Sequence, residues 1–573
     1  MSKKWKSLYD SSRKFKDEWE IFFLWVKQSS DGSGEAFCKL CHCNLVPRLS
    51  SLQNHEKSDK HQKRQAAIPY TSALKVSPNV SDEVKRAELE IATAICCHCS
   101  TISVDHISDI IKRNGKGSTL GKINIHRTKC SKILTEVISP AYVEELKSDV
   151  LGQKFAILVD ESTDVASKKL LCVVIRYFSR SEKKIVTELV ELVEVSEATR
   201  EALFQAIKNS IEKLGLSLKD CIGYASDGAS VMTGTHNSVW SRIHEESPNC
   251  VQMKCICHSL ALCVQAAFKK LPASLGFLLA EIPKWFSKSA IRREAFSTLF
   301  SIMDPCEERK GTPLPFQQAS VTRWLVRGKV MNNILFNWEE LKAYFMCAEK
   351  QSTPDCMYKA RVLHGMLNDH INFLYMHCLT PLIAEFERVN AYFQLTDADP
   401  QSLEEELRCH YQSLCARVKN YQGEILPVEE VDFGAKFAQE VQRHLEKYPE
   451  SEERIQEVKV RCLAFINEAI QQLERRLPPT QNTFKSLSAL NPVKILSQFE
   501  RVKFKDLPFP HLVANNFVKI EEQYRKILHV DCSEEPVFSG KIPENSTDFW
   551  SRVLRSRAKA VTSETAFGTA IPL

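Results

Sequence analysis

A short, continuous apolar run is the feature that most constrains this 573-residue chain. Phe155-Ala156-Ile157-Leu158-Val159 contains no polar residue, which is typical of a strand buried on both faces of a sheet. Further strands are predicted from Leu170 to Phe178, from Ile185 to Val195 and over 221–225, with a helix over 200–214. Three consecutive strands, a crossover helix and a fourth strand predict an α/β domain.

Helical patterns lie on both sides of this region. Residues 82–147 are mostly helical, with Ser81 as the N-cap and a Gly/Ser break at Gly115–Ser118. After about Val330 the pattern is again helical, and Ser402-x-x-Glu405 predicts a capping box. One apolar stripe predicts a long packed helix that stops at Pro478-Pro479; it comprises Ile455, Val458, Cys462, Ile466, Ile470, Leu473 and Leu477.

Composition excludes several classes of protein. Hydrophobic residues make up 43% of the chain and charged residues 26%, so wholesale disorder is excluded. No apolar run approaches the roughly 18 residues needed to span a bilayer, and the N-terminus lacks the apolar core of a signal peptide. The odd number of cysteines, 21, in so long a chain indicates a reducing compartment.

The strongest local motif is Cys38-x2-Cys41-x13-His55-x5-His61. Two thiolates on a tight knuckle, and two imidazoles about one and a half helical turns apart, can close a tetrahedral zinc shell. A chance arrangement of Cys and His is the alternative. We predict a structural zinc finger.

Positive charge is concentrated around this motif. Residues 1–66 contain 13 Lys and Arg against 8 Asp and Glu, which is most of the net charge of +6. Four basic residues surround the second His and would contact nucleic-acid phosphates, namely Lys57, Lys60, Lys63 and Arg64. A solvated tail without a partner is the alternative.

Carboxylates end two of the predicted strands. Asp160 follows the first strand and Asp227 follows the fourth, so neighbouring strands would bring both to one edge of the sheet. With a third acid, such a pair would bind Mg²⁺ or Mn²⁺ for phosphoryl transfer, and Glu161 or Asp164 could substitute as a ligand. A turn or cap role for the two aspartates is the alternative.

Two further Cys/His groups complete the candidates. Cys255-x2-His258 follows the fourth strand and, on a helix, would present both side chains on one face. Two ligands do not complete a metal site, so we expect packing or hydrogen bonding beside the acids. Residues 96–99, Cys-Cys-His-Cys, cannot all point at one ion and are discounted.

Four phrases, in order, resemble the hAT (hobo/Activator/Tam3) superfamily of transposases, especially domesticated vertebrate relatives with an N-terminal BED/C2H2-like zinc finger. The phrases are residues 158–164, LVDESTD; residues 225–234, ASDGASVMTG; Cys255-x2-His258 with Ser259–Leu262; and residues 321–330, VTRWLVRGKV. Their order and spacing resemble the family over about residues 80–340.

The resemblance implies an RNase H-like domain interrupted by a long all-α insertion. Asp160 and Asp227 would be the first two acids of an Asp-Asp-Glu triad, and Cys255 and His258 an element near it. Arg323 and Trp324 would help to hold DNA or the active-site architecture.

The third acid is where the sequence departs from the family. Glu564 is the candidate, but its phrase lacks the family's Arg and only nine residues follow it. We therefore expect a vestigial triad, no transposase activity, and no dimerisation through this C-terminal region.

The predicted organisation has six segments. They are a basic zinc finger (1–67), a linker (68–81), a helical N-terminal domain (82–147), an RNase H-like domain (148–330), an all-α insertion (331–535), and a truncated return to the RNase H-like and dimerisation region (536–573).

The sequence thus favours a nuclear, transposase-derived zinc-finger protein that binds DNA and associates with chromatin proteins or transcription. A Mg²⁺-dependent DNA transposase or nuclease with residual activity is one alternative. A scaffold that binds RNA or protein is the other, because the wide His-x5-His spacing also occurs in fingers that bind double-stranded RNA.

Overall fold

The computed structural model divides the chain into two compact units, Met1–Ala141 and Tyr142–Leu573. It describes residues 14–66, 81–164, 167–303, 313, 316, 327–351, 354–395, 398–508, 517–527, 538, 542–543 and 545–559. Within these residues, every helix is too short or too polar to cross a membrane.

The first unit begins with the finger. A short helix, α1 (Glu18–Phe22), precedes a three-stranded antiparallel sheet and two eight-residue helices. The strands are β1 (Val26–Gln28), β2 (Ala36–Cys38) and β3 (Cys43–Leu45), and the helices are α2 (Leu49–Glu56) and α3 (Asp59–Ala66). Trp25, Val26 and Leu52 are buried in its small core. A core of this size buries too little apolar surface to stabilise a domain without a further cross-link, such as a disulfide or a metal ion.

The rest of the first unit is helical, as predicted. Helix α4 (Asp82–His98) begins directly after Ser81, whose side chain makes no cap hydrogen bond. The Gly/Ser break falls where expected, because α5 (Ser103–Asn114) ends at Gly115. Helix α6 (Arg127–Ile133) continues through a π turn into α7 (Ser139–Val150).

The second unit, which begins at Tyr142 within α7, contains a five-stranded mixed sheet. The predicted strands are confirmed as β4 (Phe155–Thr163), β5 (Lys169–Ser179), β6 (Lys184–Glu194) and β7 (Cys221–Ser226), and the predicted helix as α8 (Arg200–Lys213). After α9 (Ser230–Thr233) and α10 (Val239–Glu246), an unpredicted strand, β8 (Val251–Lys254), completes the order β6-β5-β4-β7-β8. Only β5 runs antiparallel to the other strands.

One face of the sheet is more deeply buried than the other. Phe155, Ile157 and Val159 are buried on the packed face, against the apolar side of α8. On the opposite face, Leu189 and Leu192 of β6 remain half exposed. Asp160 lies within β4, which continues to Thr163 rather than ending before it, and Asp227 directly follows β7.

The chain then becomes helical, and its second large core begins at Ile256. Helix α11 packs into this helical core. The helices are α11 (Ile256–Phe268), α12 (Ala273–Ser287), α13 (Ala290–Met303), α14 (Arg327–Phe336), α15 (Trp338–Gln351), α16 (Pro354–Asn368), α17 (His370–Tyr392), α18 (Pro400–Val418), α19 (Ala435–Lys447), α20 (Glu452–Arg476), α21 (Pro478–Leu487), α22 (Pro492–Leu496), α23 (Phe517–Lys526) and α24 (Ser546–Lys559).

The long apolar stripe and the start of α18 can both be compared with their predictions. The apolar stripe from Ile455 to Leu477 is buried, as expected for a packed helix. The capping box at Ser402 is wrong: α18 begins at Pro400, and Asp399 accepts a hydrogen bond from the Gln401 N–H at 3.0 Å. Proline suits the first helical position because its φ is already helical and it needs no N–H partner there.

His410 of α18 generates a prediction about acid stability. It is 1% exposed, neither ring nitrogen has a hydrogen-bond partner, and burial lowers its pKa to about 4. Between that value and the ordinary pKa of about 6.5, only the unfolded chain binds the proton, so stability falls as the pH falls through this range. By pH 5 the loss should be about 2 kcal/mol.

Urea unfolding at pH 7 and pH 5 measures this loss. The variant His410→Leu should be less sensitive to acid than the wild type, whereas His106→Leu, at an exposed position, should not. Equal acid sensitivity in all three proteins would contradict the assignment.

Candidate functional site

Cys38, Cys41, His55 and His61 converge in the finger. One ligand atom from each lies within 4.8 Å of the other three. The Sγ atoms of Cys38 and Cys41 are 3.5 and 3.6 Å from Nδ1 of His61. Within the part of the chain that the structure describes, this is the one group of three or more His, Cys, Asp or Glu side chains that could hold a metal ion.

A break between two helices makes this convergence possible. His55 is in α2 and His61 is in α3, and the intervening Ser58 bonds back to the carbonyl of His55 at 2.6 Å. On one uninterrupted helix, residues six apart would point about 120° from each other. The two imidazoles therefore belong to two short helices rather than to one.

The donor set fits zinc. Nε2 of His55 is buried without a hydrogen-bond partner, and burial lowers the pKa of both imidazoles, which keeps them neutral. The thiols of Cys38 and Cys41 are almost completely buried. Two thiolates and two neutral imidazoles form the tetrahedral ligand set of structural zinc sites, and a polar cluster in so small a core would be costly without an ion.

Trp25 packs against both candidate histidine ligands. Its ring centroid lies 5.4 Å from that of His55 and 4.5 Å from that of His61. Its indole N–H donates to the carboxylate of Glu56 at 3.2 Å. Trp25 was not predicted from the sequence, although the apolar, aromatic-rich run Phe22-Phe23-Leu24-Trp25 just before β1 could have indicated a buried aromatic side chain next to the Cys/His cluster.

The predicted basic residues lie on the surface of the finger. Lys57 follows α2, Lys60 and Lys63 are on α3, and all three are exposed. Arg64 is also exposed, and its Nη1 donates to the carbonyl of Leu40 on the cysteine knuckle at 3.2 Å. Three cations are thus presented beside the metal ligands.

The second candidate site is at one edge of the large sheet. β4 and β7 are parallel neighbours, and their last pair is Leu158 with Ala225. Asp160 and Asp227 each lie two residues beyond this pair, so the register puts both at the same edge. Asp227 also accepts a hydrogen bond from the Ala229 N–H at 3.2 Å, which is the turn role considered as its alternative.

Glu161 adds to this acidic edge. Burial raises the pKa of its carboxyl, and the nearby negative charges of Asp227 and Asp160 raise it further. The described residues form no group of three close ligands there, so they give no support to a Mg²⁺ or Mn²⁺ site.

Cys255 and His258 lie beside the same edge. Cys255 is the N-cap of α11 rather than part of the helix, and its Sγ accepts the His258 N–H at 3.5 Å. Its own N–H donates to the carbonyl of Ser226 at 2.9 Å, and the His258 ring lies close to Gly228. A hydrogen bond from the Cys257 thiol, aided by the His258 N–H, lowers the pKa of Cys255 to about 6.

Three candidates lie outside the described residues. These are Arg323 and Trp324 of the predicted DNA-holding pair and Glu564, the candidate third acid. The predicted linker also lies outside them, except for Ser81.

The strand topology and the two aspartates define a mixed α/β domain with an acidic sheet edge. Residues 106–238 match the protein family DUF4371, described as "ZMYM1/FAM200, RNase-like domain". The match covers less than a quarter of the chain and includes both aspartates. The matched region contains β4 to β7, so four of the five strands lie in a segment similar to an RNase-like domain.

Zinc content tests the metal centre. We expect one zinc ion per chain, and an affinity more than about 100-fold lower in Cys38→Ser, because the remaining three ligands cannot close the tetrahedron. Competition with a chelator, followed by metal analysis, measures both quantities. Cys43→Ser is the matched control, since this neighbouring cysteine lies outside the ligand group; equal losses in the two variants would contradict the ligand assignment.

Proposed function

We propose that the chain is a transposase-derived protein of the hAT type whose zinc finger binds duplex DNA in the nucleus, in association with chromatin or transcription. The observation that carries this proposal is the Cys/His cluster with Lys57, Lys60 and Lys63 exposed beside it. Lysines on a small helix held in place by a metal site can contact DNA phosphates, and phosphate contacts give most of the affinity for DNA.

Several features support the transposase origin. The second unit contains an RNase-like sheet, and α24 packs against its edge strand β6 after the long helical region. The strand register puts Asp160 and Asp227 on the same side of the sheet, and Cys255 is hydrogen-bonded to Ser226 next to Asp227, which agrees with the hAT resemblance. We propose that this unit is a scaffold and has no catalytic activity.

DNA binding tests the role of the finger. Replacing Lys57, Lys60 and Lys63 by Ala should weaken binding to duplex DNA and reduce the salt dependence of log K by about 2.7, because each phosphate contact contributes about 0.9. Fluorescence anisotropy at several salt concentrations measures both changes. The matched control replaces Lys85, Lys116 and Lys132, which are exposed elsewhere in the first unit.

The same anisotropy assay is applied to the Cys38→Ser variant with duplex DNA, and to the wild-type protein with duplex RNA. Cys38→Ser should lose DNA binding. Tighter binding to duplex RNA than to duplex DNA, through the same lysines, would replace this proposal with the RNA-binding alternative.

Residual cleavage is the second candidate function, favoured by the shared edge of Asp160 and Asp227. We expect no metal-dependent nicking of labelled duplex DNA with Mn²⁺ or Mg²⁺, since the described residues form no group of three close ligands there. Nicking that disappears in the Asp160→Asn/Asp227→Asn variant would show that the triad is complete and that the chain is an enzyme.

A further inference from the structure

A groove in the helical region has no role in the functions proposed above. It has a volume of about 760 Å³ and lies between the loop before α19, α19 itself and Lys459 of α20. This volume is within the range of about 300–1,000 Å³ found for ligand sites.

The groove has an apolar floor that is part of the helical core. Val431, Phe433, Phe437 and Val441 form this floor, and each is less than 10% exposed. Because these side chains are already packed into the core, the floor is preformed and requires little ordering when a partner binds.

Small residues leave the groove open along α19. Its lining on this helix extends from Ala435 to Glu446, about 16 Å of helix. Ala435 and Ala438 are both exposed and too small to fill the space above the floor. Three turns of open helix surface match the length over which a bound amphipathic helix places its i, i+3, i+4 and i+7 side chains.

The rim of the groove is acidic. Three carboxylates line it, Glu429, Asp432 and Glu446, against the single cation Lys459. Glu429 and Glu446 accept hydrogen bonds from neutral amides, those of Gln456 and Gln442, rather than from cations. Asp432 lies 3.9 Å from the Arg417 guanidinium, which leaves the first two as the main source of negative potential.

We propose that this groove binds an amphipathic helix of a partner protein, with the apolar side of the helix on the floor and basic residues facing Glu429 and Glu446. Complementary charge on the rim selects basic helices over acidic ones, and the apolar floor selects helices over unstructured basic chains. This protein-binding site is additional to the proposed DNA binding and does not depend on it.

A pair of synthetic peptides tests the proposal with the full-length protein. Both are labelled 16-residue helices with the same leucine face, one flanked by Lys and Arg and its twin by Glu. By fluorescence anisotropy, the basic peptide should bind at least about tenfold more tightly than the acidic one. Equal binding of the twins, or binding of polylysine as tight as that of the basic peptide, would overturn the proposal.

Substitutions locate the binding site. Ala438→Lys should weaken binding of the basic peptide at least about tenfold, because the long side chain occupies the groove. Ala416→Lys, on an exposed position of α18, is the matched control and should bind as the wild type does. The double variant Glu429→Lys/Glu446→Lys should instead favour the acidic twin.

Two further outcomes distinguish the groove from the finger and from a self-association surface. Cys38→Ser should bind the peptide normally, so the groove and the finger can fail independently. Unchanged peptide binding in Ala438→Lys would overturn the proposal. Self-association of the wild-type protein that is lost in Ala438→Lys would also overturn it, and would identify a second copy of the chain as the occupant of the groove.

Discussion

The parallel pairing of β4 with β7 is the interaction on which the second unit depends. It joins strands far apart in the sequence, and it buries Phe155 and Ile157 on the packed face while Asp160 and Asp227 project past the last pair. Because both strands run in the same direction, their carboxyl ends must lie at one edge. The pairing therefore creates the acidic edge whether or not the edge still performs chemistry.

The finger depends on a different constraint. Its core is small, and two eight-residue helices are too short to be stable alone in water. A metal ion held by the Cys/His cluster, whose residues come from β2, the knuckle and both helices, would supply the stabilisation that apolar burial does not. Trp25 joins the two sources of stability, since it packs in the core and against both imidazoles.

The sequence was sufficient for features encoded by local pattern. Four strands of the large sheet, the crossover helix and the four residues of the Cys/His cluster were predicted because periodicity and residue spacing identify them. β8 was missed because Val251-Gln252-Met253-Lys254 is short and half polar. The start of α18 was misplaced because the Ser402 spacing matched a cap while Pro400 set the helix start. Which core receives α11 depends on tertiary packing and has no local pattern.

The junction between the RNase-like sheet and the helical core has a mechanical consequence. Only Cys255 separates the end of β8 from the start of α11, and its N–H is tied to Ser226 at the end of β7. There is no linker at this point to absorb motion. A displacement of α11, such as one caused by a partner that binds the helical core, would be transmitted through Cys255 to β7, the strand that precedes Asp227. The sheet and the helical core should therefore move together.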